Sequence, residues 1–426
     1  MNSRNLTSII WLWFGIAFFW GVENIYINMY FIDPEIIPKP DQQAIYISYM
    51  VAFSAISNVI AIWLSGAATD ACKNRMGRRK PFILVGGILG GLIMCMFPIV
   101  RLLPTTLDKV ILALILDCSL SFAGDFTTGS RMALLTDLTE EKNRAKTNGI
   151  LNVPNMLGMA IPIVLAEFVR LNLGVDSFFY IGGGIMVVAC VTSVIFIQEP
   201  GYNADQLKTF KECIKRTFTW INYENNKPFY HALIGVALLS LGGNIYYPFI
   251  FPYIKDYMGF SGDMYTIVAA SVLLINLVVQ IPLGVISDRR GRKAVYKVIL
   301  PVDVALLFMF YFVGPGNVAA ALLIGGPAIT FYFSLKIIMM SWMQDLCPEN
   351  QRGSLLVYSN IFDVLMMAPG AFIGGALIDY FTLGTGALFH PIMFIASAIV
   401  VASSFLILHR IPDTIKKTEE KELKIA

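Results

Sequence analysis

Long apolar stretches separated by short polar loops run through the whole chain. Stretches long enough to cross a hydrocarbon core as helices, which takes about 20 residues, fall at roughly 9–31, 44–69, 82–100, 109–135, 147–170 and 177–197, and again at roughly 230–252, 265–287, 294–314, 318–344, 353–380 and 385–409. The pattern predicts an all-α membrane protein of twelve transmembrane helices in two pseudo-symmetric bundles of six. The expected domains are an N-terminal bundle (1–198), a cytoplasmic linker (199–228), a C-terminal bundle (229–410) and a cytoplasmic tail (411–426). Within the linker, Leu207, Phe210, Ile214 and Phe218 form one stripe, and Lys208, Lys211, Lys215 and Arg216 lie mostly elsewhere. That is the pattern of a helix lying on the leaflet surface.

Composition agrees: 56% of the 426 residues are apolar and 14% are charged, outside the range of soluble domains. The net charge of +3 matters less than where the cations fall. Alternate loops carry Lys73, Arg75, Arg78, Arg79 and Lys80, then Lys142, Arg144 and Lys146, then the linker, then Arg289, Arg290, Arg292 and Lys293, then Arg352. The other loops hold few cations, among them Lys39, Arg101, Lys109, Arg170 and Lys255. This bias predicts cytoplasmic termini and linker in a multi-pass protein of the plasma membrane. The first apolar run continues past Trp20 with no small-residue cleavage site and reads as the first helix rather than a removed leader. Six cysteines without C-x-x-C spacing are expected as free thiols, and no resident metal or cofactor is implied. With no G-x-x-x-x-G-K-[ST] loop and three histidines, the sequence argues against an enzyme, an ATP-driven pump and a nucleic-acid partner. The chain is taken as a monomer whose partners are the bilayer and a small molecule.

Matches at a nearly constant offset reveal a duplication. "GVENIY" (21–26) aligns with "LGGNIY" (241–246), "DLTEEKNR" (137–144) with "DLCPENQR" (345–352), and the charged loops align Gly66 with Gly284, Asp70 with Asp288 and Gly77 with Gly291. Each copy thus sets a Gly-x-x-x-Asp loop between its second and third helices, with glycine expected to permit close helix approach. A gating latch is the reading favoured over a plain topogenic charge cluster, which explains the cations but not the fixed spacing.

The series Gly284, Asp288, Gly291, Arg292, Lys293 resembles the signature loop of the major facilitator superfamily, and twelve spans in two similar halves fit that family. "TDACKNRMGRRKPFILVGG" and "GSRMALLTDLTEEKNRAKTNGILN" (129–152) further resemble the glycoside-pentoside-hexuronide cation symporters and the sucrose transporters. Their D-x6-G-R-R-x-P-[FW]-I loop is matched by Asp70, Gly77, Arg78, Arg79, Pro81, Phe82 and Ile83, whereas Arg131 sits one position early in the R-A-L-L-x-D-L helix end. Asp70/Asp288, Asp137/Asp345 and Arg144/Arg352 are paired between the halves at cytoplasmic helix ends and read as structural or gating, and they join the loop glycines and cations and Arg131 in the gating set.

Charges inside a span are costly and mark function by default. A charge found in one half alone is not needed to build the repeated unit, which singles out Glu23, Asp117, Asp125, Lys336 and Asp363, opposite Gly243, Gly325, Phe333, Thr128 and Asn155. Glu23 lies about 21 Å into the first span at 1.5 Å per residue. In an α-helix Tyr26 and Tyr30 share its face, with Asn24 and Asn28 on the adjacent stripe. Carboxylate and amide oxygens accept from sugar hydroxyls, and aromatic rings stack on a pyranose. Asn244, Tyr246 and Tyr247 are expected to complete the cavity, and a polar helix–helix contact is the competing reading. Glu23, Asp125 and Asp117 are the coupling candidates, and Lys336 with Asp363, at similar depth, could pair as a tie or a switch. In the resembled symporters a first-helix carboxylate contributes to the substrate or coupling site, and Glu23 is its match. These readings together predict a secondary transporter coupling H⁺, or Na⁺, to sugar or glycoside symport by alternating access. A proton-coupled exporter of amphipathic compounds is the alternative.

Overall fold

An apolar sequence free of internal proline makes α1 (Ser3–Val22) a regular helix whose Leu12, Ile16 and Phe19 form one fully buried stripe. The structure, a computed structural model, describes residues 3–31, 33–39, 42–139, 144–199, 209–212, 226–346, 360–383, 389–408 and 410–413. α2 (Gln43–Ala71), α3 (Lys80–Met96), α4 (Thr106–Leu138), α5 (Arg144–Asn172) and α6 (Asp176–Phe196) follow. Then come α7 (Lys227–Asn244), α8 (Gly262–Arg290), α9 (Arg292–Phe310), α10 (Gly326–Leu346), α11 (Met367–Thr382) and α12 (Ile392–Ser403). Among the described residues 10 helical segments are long and apolar enough to cross a membrane. Two of the expected spans fall short of that measure: α9 carries Arg292, Lys293, Lys297 and Asp303 within 19 residues, and α12 runs for 12 residues. The predicted surface helix of the linker lies outside the described residues except for 209–212, where Phe210 is exposed.

Two compact units divide the chain, Met1–Pro38 with Phe53–Thr219 and Lys39–Ala52 with Trp220–Ala426. This division differs from the expected one at residues 39–52, which belong to the second unit: the Ser48 hydroxyl donates to the Ala371 carbonyl at 2.8 Å and Tyr49 lies edge-on to Phe372. In the first unit α1 lies against α5 and α6, and α3 lies against α4 and α6. The α3–α6 crossing needs Gly91 and Gly183, because a Cβ on either would run into the other's carbonyl oxygen. In the second unit α10 contacts α7, α8 and α9, while α12 contacts α7 and α9. Its core gathers Tyr296, Leu335, Met339, Trp342 and Val401. Lipid is as apolar as these side chains, so close packing and buried hydrogen bonds hold the bundle more than transfer from water does.

The first helix of each unit breaks at the aligned position. α1 passes into a π-turn at Glu23–Ile27, and α7 ends at Asn244 before a 3₁₀ turn at Tyr247–Phe249 and a π-turn at Tyr253–Tyr257. Breaks of this kind free carbonyls, and the matched asparagines take them up: Asn24 Nδ2 donates to the Trp20 carbonyl at 2.8 Å and Asn244 Nδ2 to that of Ser240 at 2.8 Å.

Candidate functional site

The π-turn decides which side chains meet Glu23. A π-turn takes one more residue than an α-turn, so Tyr26 rotates off the face that α-helical spacing gives it. Tyr26 instead stacks on Phe178 with centroids 4.0 Å apart, and Tyr30 lies edge-on to Phe179 at 5.6 Å and Phe97 at 6.4 Å. Both phenols are fully buried in this aromatic core against α6, a correction to their expected place beside Glu23. Asn28, also buried, uses its amide on the Asn24 carbonyl at 2.8 Å. Asn24, Asn28 and Asn244 thus each give one amide N–H to the backbone, and each side chain keeps a second N–H and a carbonyl oxygen.

Glu23, partly exposed, turns toward α4 and lies within electrostatic reach of Asp117 and Asp125. Asp117, Ser121 and Asp125 occur at intervals of four and share one face of α4, all buried. From α2, Asn58 with its amide nitrogen turned inward donates to Asp125 Oδ2 at 3.2 Å and to the Ser121 carbonyl at 3.2 Å. Asp117 Oδ1 and the Ser121 hydroxyl have no hydrogen-bond partner among the described residues. Three acids on two helices, with Asn58 and Ser121, therefore form a polar stripe inside the first unit. No group of three such side chains among the described residues stands close enough to hold a metal ion, so the acids feel one another through their fields rather than as shared ligands. Sequence reading passes over Asn58, whose neutral side chain escapes a search for charges, although its four-residue distance from Ser54 marks a polar face.

Arg131 is placed with this stripe rather than with the loops, a second correction. It is buried, its guanidinium lies 4.8 Å above the Trp13 ring, and it is within reach of Asp125. At the far end of the unit Arg101 binds Asp33 at 2.8 Å, Glu35 at 2.8 Å and Asp176 at 3.2 Å while covering the Tyr30 ring. This cluster joins segments of distant sequence, which is why the charges look isolated along the chain.

In the second unit Lys336 Nζ pairs with Asp363 Oδ1 at 2.9 Å, and the Ser240 hydroxyl also donates to Asp363. Tyr246 is fully buried between Tyr332 and Phe394, and Tyr247 lies edge-on to Phe333 at 5.5 Å. Asp303 on α9, fully buried, escapes the sequence reading although it interrupts a predicted span.

The charged loops show the duplication in atomic detail. Arg79 Nη1 meets Asp70 at 2.8 Å and its Nε meets Asp137 at 3.0 Å; Arg292 Nη1 meets Asp288 at 2.9 Å and its Nε meets Asp345 at 2.5 Å. The equivalent arginines are therefore Arg79 and Arg292, with Arg78 an added residue that also reaches Asp70 at 3.1 Å. Burial works against the Arg79 charge, and Asp137 and Asp70 more than restore it, holding the guanidinium above its ordinary value. Glu199, following α6, accepts from the backbone N–H groups of Arg78 at 2.7 Å and Arg79 at 2.9 Å, so it caps the start of α3. In the second unit Asp413 stands beside Gly291, and Lys293 Nζ donates to the Ile411 carbonyl at 2.7 Å. The Arg144 side chain and Arg352 lie outside the described residues.

The loop glycines divide by role. Gly77 and Gly291 have φ of 113° and 95°, which glycine alone adopts without strain. At Gly66 and Gly284 an added Cβ meets nothing within 4 Å, so they do not serve the close helix approach expected of them. Gly77→Ala, which also drives a Cβ into the Glu199 carboxylate, is expected to lower the melting temperature by about 2–6 °C for a cost of roughly 1–2 kcal/mol. Gly66→Ala leaves it unchanged or raises it, and thermal unfolding in detergent checks both.

Two repeated helical units in a multi-pass membrane protein, each tied by the same Asp–Arg–Asp loop and one holding a buried stripe of acids, define a membrane transporter. The chain belongs to the Major Facilitator Superfamily, whose profile matches residues 12–370 and 232–425. It is 23% identical over 322 residues to the uncharacterized MFS-type transporter YfkF of Bacillus subtilis (strain 168), spanning 74% of this chain and 75% of that protein. In fold it is similar to a D-xylose-proton symporter, with a TM-score of 0.72 and 16% identity over 96% of this chain and 98% of the other. It is likewise similar to a mutant form of the nucleoside transporter NupG, with a TM-score of 0.70 and 14% identity over 96% and 99%.

Proposed function

We propose that the protein is a secondary active transporter in which a cation, H⁺ before Na⁺, drives symport of a sugar-like solute by alternating access. The observation that carries this reading is the convergence of Glu23 with Asp117 and Asp125 inside the first unit. Glu23 lies in reach of both acids of α4 within a largely apolar bundle where Arg131 offsets Asp125 alone, so binding a cation there relieves both repulsion and desolvation. Their fields overlap without shared ligand geometry, which favours a proton over direct Na⁺ coordination. Carboxyl and carboxamide oxygens beside them suit a solute rich in hydroxyls, and the substrates that name the fold relatives, D-xylose and nucleosides, are of that kind. In this reading the helices α9 and α12 also cross the membrane, making twelve spans with cytoplasmic termini in the plasma membrane of a monomer without resident cofactor. The Asp–Arg–Asp loops serve as its cytoplasmic gates.

The test is uptake of labelled mono- and disaccharides and nucleosides into proteoliposomes under an inward H⁺ or Na⁺ gradient. Accumulation under one gradient supports the proposal. If none accumulates and amphipathic cations are instead extruded against their gradient, the protein is the exporter that its aromatic and Met-rich spans would also serve.

A further inference from the structure

Among the buried oxygens of the second unit without a hydrogen-bond partner among the described residues, four lie on neighbouring elements: both of Asp303 on α9, the Tyr246 hydroxyl just beyond α7, and Ser397 Oγ on α12. All three residues are 0% exposed. Their elements pack against one another, and the pairs Phe310–Phe394, at 4.7 Å, and Tyr296–Ser404, at 3.0 Å, bracket Asp303 on α9 and Ser397 on α12. α12 packs against both α7 and α9, and the Tyr246 ring lies 5.6 Å from that of Phe394, one turn before Ser397. Asp303 is within electrostatic reach of Tyr246 and of Tyr332 on α10.

The duplication shows that the fold does not need this acid. At the offset that superposes Lys80 on Lys293, Asp303 falls on Gly90, where the atoms nearest an added Cβ are the side chains of Ala123 at 3.5 Å and Phe19 at 3.6 Å and the Gly124 backbone at 3.7 Å. Nor does Asp303 act as polar glue, since it makes no hydrogen bond that would tie two helices. An ionised carboxylate left so in an apolar interior is strongly disfavoured, and native proteins pair such groups or neutralise them. Among the described residues the neighbouring ionisable groups do not supply the counter-charge. Lys336 on α10 is committed to Asp363, Tyr296 on α9 shares a hydrogen bond with Ser404 at 3.0 Å, and Tyr246 and Tyr332 are neutral phenols. On α8 the ionisable side chains, Asp263, the phenol Tyr265 and Asp288–Arg290, lie at its ends.

We propose that Asp303, with the hydroxyls of Tyr246 and Ser397, forms a binding site for one monovalent cation, a proton or Na⁺, inside the second unit and separate from the acids of the first. One carboxylate and two neutral oxygens match a single positive charge. A divalent ion would leave an excess charge in the apolar interior and find too few oxygens. As a second coupling ion the site rests on the transport reading; as a binding site it does not, so its test contains no solute.

Thermal unfolding of the purified full-length protein in detergent is followed for wild type, Asp303→Asn and Glu23→Gln, with NaCl against choline chloride at pH 8 and across pH without Na⁺. If Na⁺ is the ligand, wild type and Glu23→Gln melt several degrees higher in NaCl and Asp303→Asn does not respond. If the proton is the ligand, both melt higher as pH falls while Asp303→Asn lies nearer its plateau throughout. Tyr246→Phe and Ser397→Ala, which keep shape, are expected to weaken the Na⁺ response several-fold or to shift the midpoint of the pH response. They also decide the matter should Asp303→Asn not fold. The proposal is overturned if wild type responds to neither cation, or if Asp303→Asn, or in its absence both hydroxyl variants, respond as wild type does.

Discussion

Proteoliposomes bearing Glu23→Gln are expected to exchange labelled solute across the membrane but to accumulate none against its gradient, whereas wild type concentrates it. The expected size follows from the driving force. A gradient of about 2 pH units stores roughly 2.7 kcal/mol per proton, enough for about 100-fold accumulation with one proton per solute. In the variant that ratio falls to one, because glutamine keeps the shape and hydrogen-bonding ends of Glu23 but holds no exchangeable charge. Exchange survives because it needs the binding site and the conformational change, not the coupling ion. Accumulation that persists in Glu23→Gln and disappears in Asp125→Asn would move the coupling role to α4, where Asn58 already holds Asp125. Loss of both exchange and accumulation would instead make Glu23 a solute ligand.

The second large effect concerns Lys336 and Asp363. Lys336→Met is expected to destabilise the protein by about 3 kcal/mol, a drop of roughly 6–12 °C in melting temperature, because it leaves the largely buried Asp363 carboxylate without its counter-charge, with the Ser240 hydroxyl as its remaining donor among the described residues. The double variant Lys336→Met/Asp363→Leu recovers most of that loss, since removing both charges also removes their desolvation. Thermal unfolding of the two single variants and the double variant gives the coupling energy directly. If the double variant is as stable as wild type yet transports nothing, the pair is a switch; if it transports normally, the pair is a tie.

The paired behaviour of the charged loops is legible in the amino-acid sequence, because the duplication repeats both residues and spacing. What the repeat does not give is register at single-residue resolution. Aligning the glycines sets Arg78 against Arg292, while the ion pairs match Arg79, since one added residue is absorbed between Gly77 and α3. The partners Glu199 and Asp413 escape the sequence for a simpler reason: each sits more than a hundred residues from the loop it meets.

By itself the sequence determined the class of protein, its duplication and which charges stand in one half alone, because length, apolarity and repetition are properties of the chain and the bilayer fixes how they must be satisfied. Tertiary structure alone decided which of those charges meet. A π-turn at Glu23–Ile27 sends Tyr26 into an aromatic core and leaves Glu23 with the acids of α4, and no helical period read from sequence contains that turn. Likewise Arg131 belongs with Trp13 and Asp125, and the Asp303 carboxylate makes no hydrogen bond among the described residues, because depth and neighbours arise from how helices cross rather than from where residues fall along one of them.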